Sequence, residues 1–208
     1  MPYKPLSIGL FFFTLTSCAT LETEKSVTYY VLDAKPSNVF EKQTQFNVMV
    51  AKIVLPDYLN QPNLVLRDSS QKLHVAYYHS WADNLADAVR RVMIAQLNST
   101  DKNTRYTANC KACAKLSIVL DHFYPTTQGE VVLAGEFQFY AAAQPVLRQN
   151  FVIKKELKKD GYEHAVKKMQ HSLTELSVRI SRSIKTARLR RQPLQKNTLP
   201  LENENSTD

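Results

Sequence analysis

Glycine is scarce: the 208-residue chain has four. Glycine-rich loops that cradle phosphates therefore cannot be built. Cysteine is equally sparse, at three residues. Two of them form Cys110-Lys111-Ala112-Cys113, and no second pair stands at zinc-ribbon spacing. A zinc site would need two further ligands, for which His122 is the nearest candidate. The histidines, His74, His79, His122, His164 and His171, form no H-E-x-x-H arrangement, and Ser80 beside His79 is not flanked by the G-x-S-x-G of a hydrolase elbow. After residue 15 no long apolar run occurs, so no later segment has the ~20 apolar residues of a membrane-spanning helix. Acidic side chains are outnumbered, giving a formal net charge of +8. That balance favours acidic partners, such as lipid headgroups or an acidic protein surface.

The one strongly apolar run is at the start. Leu6 to Leu15 follows Lys4, carries Phe11, Phe12 and Phe13, and leads into Leu15-Thr16-Ser17-Cys18. It is too short to span a bilayer and has the form of a secretory leader. The four residues resemble a bacterial lipobox. That resemblance implies removal of residues 1–17 and acylation of Cys18 as the new N-terminus; the alternative is a plain secretory leader with an incidental cysteine. Several acyl chains hold a protein stably where one holds it marginally, at ~0.8 kcal/mol per buried methylene. Ala19 follows the cysteine. In lipoproteins of enteric type, the absence of Asp there implies the outer membrane. Residues 18–26 then read as a lipidated tether. Its reach from Cys18 is at most ~30 Å at 3.3–3.6 Å per residue.

Residues 27–191 read as one domain. Val27 to Asp33 is β-branched and aromatic and reads as a strand; residues 34–45 read as a loop. Phe46 to Leu55 is apolar on both faces, which predicts a central strand covered on both sides, stopped by Pro56. Leu64 to Arg67 and Leu73 to Tyr78 read as a hairpin. Helical spacing of Trp81, Leu85, Val89, Val92 and Met93 predicts a helix from Ser80 to about Leu97, with Ser80 and Asp83 as its capping pair. Residues 98–104 read as a polar loop. Leu116 to Phe123, Val131 to Tyr140 and Val146 to Lys155 read as strands. A long helix follows from the Asp160/Glu163 cap to about Arg188, striped by Tyr162, Val166, Met169, Leu173, Leu176, Ile180 and Ile184. Residues 192–208 read as a disordered polar tail. The expected fold is α/β: a single domain with a mixed β-sheet packed by two main helices.

Cys110 and Cys113 have the spacing of a redox pair, but the motif precedes a strand instead of opening a helix. A structural disulfide or two free thiols is the simpler reading, and an exported compartment suits the disulfide. Lys185, Arg188, Arg190 and Arg191 cluster at the end of the last helix. Cations there suit the helix dipole, at ~0.3–1 kcal/mol each when exposed; they equally suit an acidic partner or an anionic lipid surface. Nucleic-acid binding would call for interleaved aromatics, which this stretch lacks.

Tyr29-Tyr30-Val31-Leu32, Val54-Leu55-Pro56-Asp57-Tyr58-Leu59, then Pro62, Leu64-Val65, Arg67 and His79-Ser80-Trp81-Ala82 with Leu85 together resemble the ABC-type transport auxiliary lipoprotein family, the PqiC/YmbA group. The likeness is sharp from about residue 29 to 97 and continues to about 188 by element order alone. The Cys110/Cys113 pair and the polar tail depart from it. The resemblance implies an α/β fold and a non-catalytic, lipid-anchored accessory protein with no cofactor or metal. It implies a body facing the periplasm, and with the outer-membrane location that Ala19 implies, outer-membrane lipid would surround the acyl anchor. The implied partners are an MCE-domain periplasmic protein and its inner-membrane component, in moving lipids or other hydrophobic molecules; nucleic acid is not among them, and homo-oligomerisation is compatible. Family-motif residues become candidate partner contacts: Pro56, Tyr58, Leu59, Arg67 and Trp81. Pro56 also ends a strand, Tyr58 and Leu59 would cover a sheet edge or face a partner, Arg67 would pair locally or face a partner, and Trp81 reads as core before contact. The competing classes are a thiol-disulfide or hydrolytic enzyme, and a structural envelope lipoprotein.

Overall fold

Two-residue alternation of apolar side chains builds most of this fold. Val131, Leu133, Phe137 and Phe139 are buried, and a period of two puts them on one face of a strand. The structure, a computed structural model, describes residues 26–34 and 46–195. The leader 1–17, Cys18, nearly all of the tether, the loop 35–45 and residues 196–208 lie outside the described residues.

The elements are β1 (Thr28–Tyr30), β2 (Phe46–Val50), a 3-10 turn (Asp57–Leu59), β3 (Asn63–Arg67), β4 (Leu73–Trp81), α1 (Leu85–Thr100), β5 (Thr104–Thr107), β6 (Ala114–Pro125), β7 (Glu130–Ala141), β8 (Gln144–Glu156) and α2 (Tyr162–Gln195). The class is α/β, with two helices and mixed sheet in one domain. The strands divide between two sheets. The larger has the order β5-β2-β6-β7-β8, and the smaller β1-β4-β3. β2 runs parallel to β5 and β6, whereas β6, β7 and β8 form an antiparallel meander. In the smaller sheet β1 is parallel and β3 antiparallel to β4. A bridge from Arg67 to Thr126 joins the two.

One face of the larger sheet is the core. Val48 and Val50, Leu116, Ile118 and Leu120, and Phe151 and Ile153 join the β7 residues there. Against them lies α2, whose stripe of Val166, Met169, Leu173, Leu176, Ile180 and Ile184 is buried throughout, beside Leu85, Val89, Val92, Met93 and Leu97 of α1. A helix with one apolar side can bury it only against such a face. Towards Tyr124 the opposite face is covered, with Val132 and Ala134 of β7 also buried, but its other half is more open. It carries Ser117 and Val119 of β6, Glu136, Gln138 and Tyr140 of β7, and Arg148 and Asn150 of β8, placed side by side by the register. Arg148 Nε donates to Glu136 at 2.5 Å, Gln138 donates to the same carboxylate at 2.5 Å, and the Tyr140 hydroxyl donates to Gln138.

Several expectations are corrected. Ser80 and Trp81 end β4 and do not start a helix; Trp81 N–H donates to Pro62 O at 2.7 Å and both residues pair with β1. Strand pairing overrides the cap pattern, and α1 begins at Leu85, capped by the Asn84 side chain, which accepts from Asp87 N–H at 3.2 Å. β2 is not covered on both faces. Its ladder stops at Val50, and the chain continues beside β6 through Ala51 N–H to Leu116 O (2.8 Å) and Val54 N–H to Ile118 O (3.1 Å), leaving Val54 exposed. The polar stretch read as a loop to 104 leads into β5, held by buried Asn98, whose amide donates to Tyr106 O (2.8 Å) and accepts from Tyr106 N–H (3.0 Å). α2 runs on to Gln195, past the helix end expected at about Arg188 and the domain boundary expected at 191.

The β6 register shifts between Leu120 and His122, a bulge that bends the strand. Opposite it sits Gly135, where an added Cβ would lie 2.1 Å from Val119 O. No ordinary side chain fits without moving backbone. Gly135→Ala is therefore expected to destabilise the protein by ~2 kcal/mol or more, an overpacking cost, read as a lower urea midpoint. An unchanged midpoint would contradict the close approach of β6 and β7.

Candidate functional site

The bulge turns the second half of β6 so that His122 is exposed near the seam between the sheets, with Tyr124 buried beside it. The segment after Pro56 reaches them. Pro56 has φ −68° and caps the 3-10 turn; its carbonyl accepts from Leu59 N–H at 2.9 Å. Leu59 is buried and pins the turn. Tyr58 is thereby aimed outward. Its hydroxyl donates to Asp121 O at the bulge and lies 3.1 Å from His122 Nδ1. Tyr58 and Tyr124 rings are 6.3 Å apart, and His122 and Tyr124 rings 5.3 Å. From β3, Arg67 donates to the Tyr124 hydroxyl at 3.3 Å. Three sequence candidates, Pro56, Tyr58 and Arg67, thus come together with Leu59 as their buried anchor.

Burial pushes the Tyr58 hydroxyl up to about 12, helped by the neighbouring Tyr124 and Asp121. A phenol so committed to a carbonyl stays protonated and is no general base at neutral pH. The cluster offers ring faces, an imidazole and a guanidinium on a stiff frame. These suit recognition of a polar protein surface.

Trp81 stands apart, buried at the end of β4. Cys110 and Cys113 are joined by a disulfide with Cα atoms 5.8 Å apart. The bonded loop precedes β6 and, with Phe46, Met49, Tyr140 and Ala141, borders an open depression of about 760 Å³. No cluster of three His, Cys, Asp or Glu that could hold a metal occurs among the described residues, His122 included.

One member of the basic cluster, Arg188, is engaged within the fold. Arg188 lies over the Phe46 ring, 3.9 Å from its centroid, and donates to Thr104 Oγ1 at 3.3 Å, so it fastens α2 to β2 and β5. Lys185 and Arg190 are exposed. Arg191 is in α2.

Sequence reasoning named His122 only as a would-be zinc ligand and missed Tyr124 and Arg90. Arg90 Nη2 donates to Val50 O (2.7 Å) and Ala108 O (2.6 Å), clamping α1 to the end of β2. The signal for Arg90 was available: it sits between buried Val89 and Val92, on a face where an exposed arginine is not expected. His122 had no local signal, because the bulge alone exposes it.

The model of the ABC-type transport auxiliary lipoprotein component matches residues 30–181. The chain belongs to this family. Among curated proteins, this family member is similar to the intermembrane transport lipoprotein PqiC of Escherichia coli (strain K12), 24% identical over 175 residues that cover 82% of this chain and 92% of PqiC. The same figures hold for PqiC of Shigella flexneri. Among solved structures, an uncharacterized protein superposes with TM-score 0.69 at 23% identity, covering 76% of this chain and 99% of the other. A Xanthomonas campestris protein gives 0.64 at 13% identity, covering 80% and 99%. At such identities the two structures speak for the fold. Within the described residues no helix is long and apolar enough to cross a membrane.

Removing the Tyr58 hydroxyl leaves Asp121 O without its donor. Tyr58→Phe is expected to cost ~1 kcal/mol at pH 8, the net worth of one hydrogen bond. The raised pKa adds a sign. Stability tied to the protonated phenol is complete below pH 10 and is lost as pH rises toward 12. Urea denaturation across that range should show a steeper alkaline loss for the wild type than for Tyr58→Phe. Parallel curves would refute this account of Tyr58.

Proposed function

We propose that this protein is a non-catalytic accessory lipoprotein of an intermembrane transport system for lipids or other hydrophobic molecules. In this reading Cys18 carries the acyl anchor and the body faces the periplasm from the outer membrane, as Ala19 suggests. The observation that carries the reading is the family match over residues 30–181, together with the similarity to a protein named an intermembrane transport lipoprotein. The geometry supports it: the motif residues Pro56, Tyr58 and Arg67 converge on a rigid, outward-facing cluster whose tyrosine proton is already committed.

The partner in this reading is an MCE-domain periplasmic protein with its inner-membrane component. It docks on the open face around Tyr58, Arg67 and His122. The short tether keeps the start of β1 within ~30 Å of the anchor. The disulfide staples the loop before β6 and has no catalytic part here.

The test is affinity isolation of the tagged protein from detergent-solubilised envelopes. The expected result is co-isolation of an MCE-domain protein and sedimentation with outer-membrane vesicles, with Cys18→Ser releasing the body to the soluble fraction. Recovery of the anchored protein without any MCE-domain chain would overturn the reading.

A further inference from the structure

The second half of α2 has cations without acids. From Leu176 to Gln195 it carries six arginines and lysines and neither Asp nor Glu. Arg179 is satisfied by Glu175 at 2.6 Å and Arg188 by Phe46 and Thr104. Arg182 and Arg190 have no ion pair or hydrogen bond among the described residues, and both are exposed. They sit at the two ends of a trough of about 460 Å³ between α2 and the start of β8. Thr186 lies midway, so the three follow an i, i+4, i+8 row about 12 Å long on one side of the helix. The floor is apolar: half-buried Val146 and Leu147 from β8 and Ala187 from α2.

Guanidinium forks match phosphate oxygens in geometry and charge. An apolar floor beside them matches an alkyl chain. An added peptide strand finds less: farther along the free edge of β8, the Val152 carbonyl already accepts from Arg179 (3.4 Å) and the Gln149 side chain from Ser183 (2.9 Å). An ion alone would leave the floor unused.

We propose that this trough takes one anionic phospholipid, its phosphate between Arg182 and Arg190 and an acyl chain along Val146, Leu147 and Ala187. The site is separate from the Tyr58 cluster and goes beyond the docking reading, which does not require the body to touch lipid.

The test uses the full chain with Cys18→Ser, so that the anchor does not report itself. Titration calorimetry measures binding of dihexanoyl phosphatidylglycerol below its micelle concentration. Arg182→Gln with Arg190→Gln should weaken binding at least tenfold, and Leu147→Asn at least threefold. Lys158→Gln with Lys159→Gln, exposed cations before α2, should change it less than twofold. Circular dichroism and the urea midpoint confirm folding, and the exposed arginine pair keeps the test alive if Leu147→Asn does not fold. Equal loss in the Lys158/Lys159 variant means general charge attraction and overturns the site. Binding of inorganic phosphate as tight as the lipid overturns the acyl part. Binding of lipid only after removal of residues 196–208, which contain Leu199, Leu201, Glu202 and Glu204, would assign the trough to the chain's own acidic segment and overturn the proposal. Recovery of the MCE-domain partner by the arginine variant is expected whether or not lipid binds, so failure here leaves the docking reading standing.

Discussion

The apolar stripe of α2 on the inner face of the larger sheet holds the rest in place. Six residues of that stripe are buried, and each such aliphatic side chain contributes ~1.5–3 kcal/mol by leaving water. The helix also ties down elements that the sheets do not secure. Tyr162 stacks on His79 at 4.0 Å, and His79 Nδ1 lies 3.0 Å from the Tyr30 hydroxyl, so β1 is held through β4 to the helix start. Gln170 donates to Asp33 O at 2.8 Å, where the chain leaves β1. Lys155 of β8 meets Glu175 at 2.5 Å, which holds that carboxyl below its ordinary pKa. Arg188 closes the far end over Phe46.

With one sheet face filled by helices, half of the other is left for polar groups. The bulge at Asp121 and the glycine opposite it are the device that makes a site there. They let β6 bend, bring His122 to the surface beside buried Tyr124, and present a carbonyl to Tyr58. The site therefore depends on a backbone irregularity supported by the core beneath it. Such bulges commonly re-aim side chains next to functional surfaces.

Periodicity exposed the long elements in the sequence because the physical signal is strong there. α2 shows its stripe over many turns, and β6, β7 and β8 each alternate over part of their length. The short elements were hidden. β5 is four residues, Thr104–Thr107, and buries Thr104 and Tyr106 amid polar neighbours, too few to show a period. The Ser80/Asp83 pattern misled because tertiary pairing with β1 outweighs a local cap worth ~1 kcal/mol. Two sheets could not be told from one, since pattern reports that a residue is in a strand and not which strand it meets. Pro56, Tyr58 and Arg67 were singled out by family likeness; their meeting with His122 and Tyr124 needed the fold.

The account rests on the Tyr58 face being the surface that meets the transport partner. Photocrosslinking tests this most directly. A photoreactive side chain at exposed Asp57, beside Tyr58, should yield an adduct with an MCE-domain periplasmic protein in intact cells, while the same group at exposed Glu156, the last residue of edge strand β8, should not. Adducts from Glu156 with none from Asp57 would contradict it.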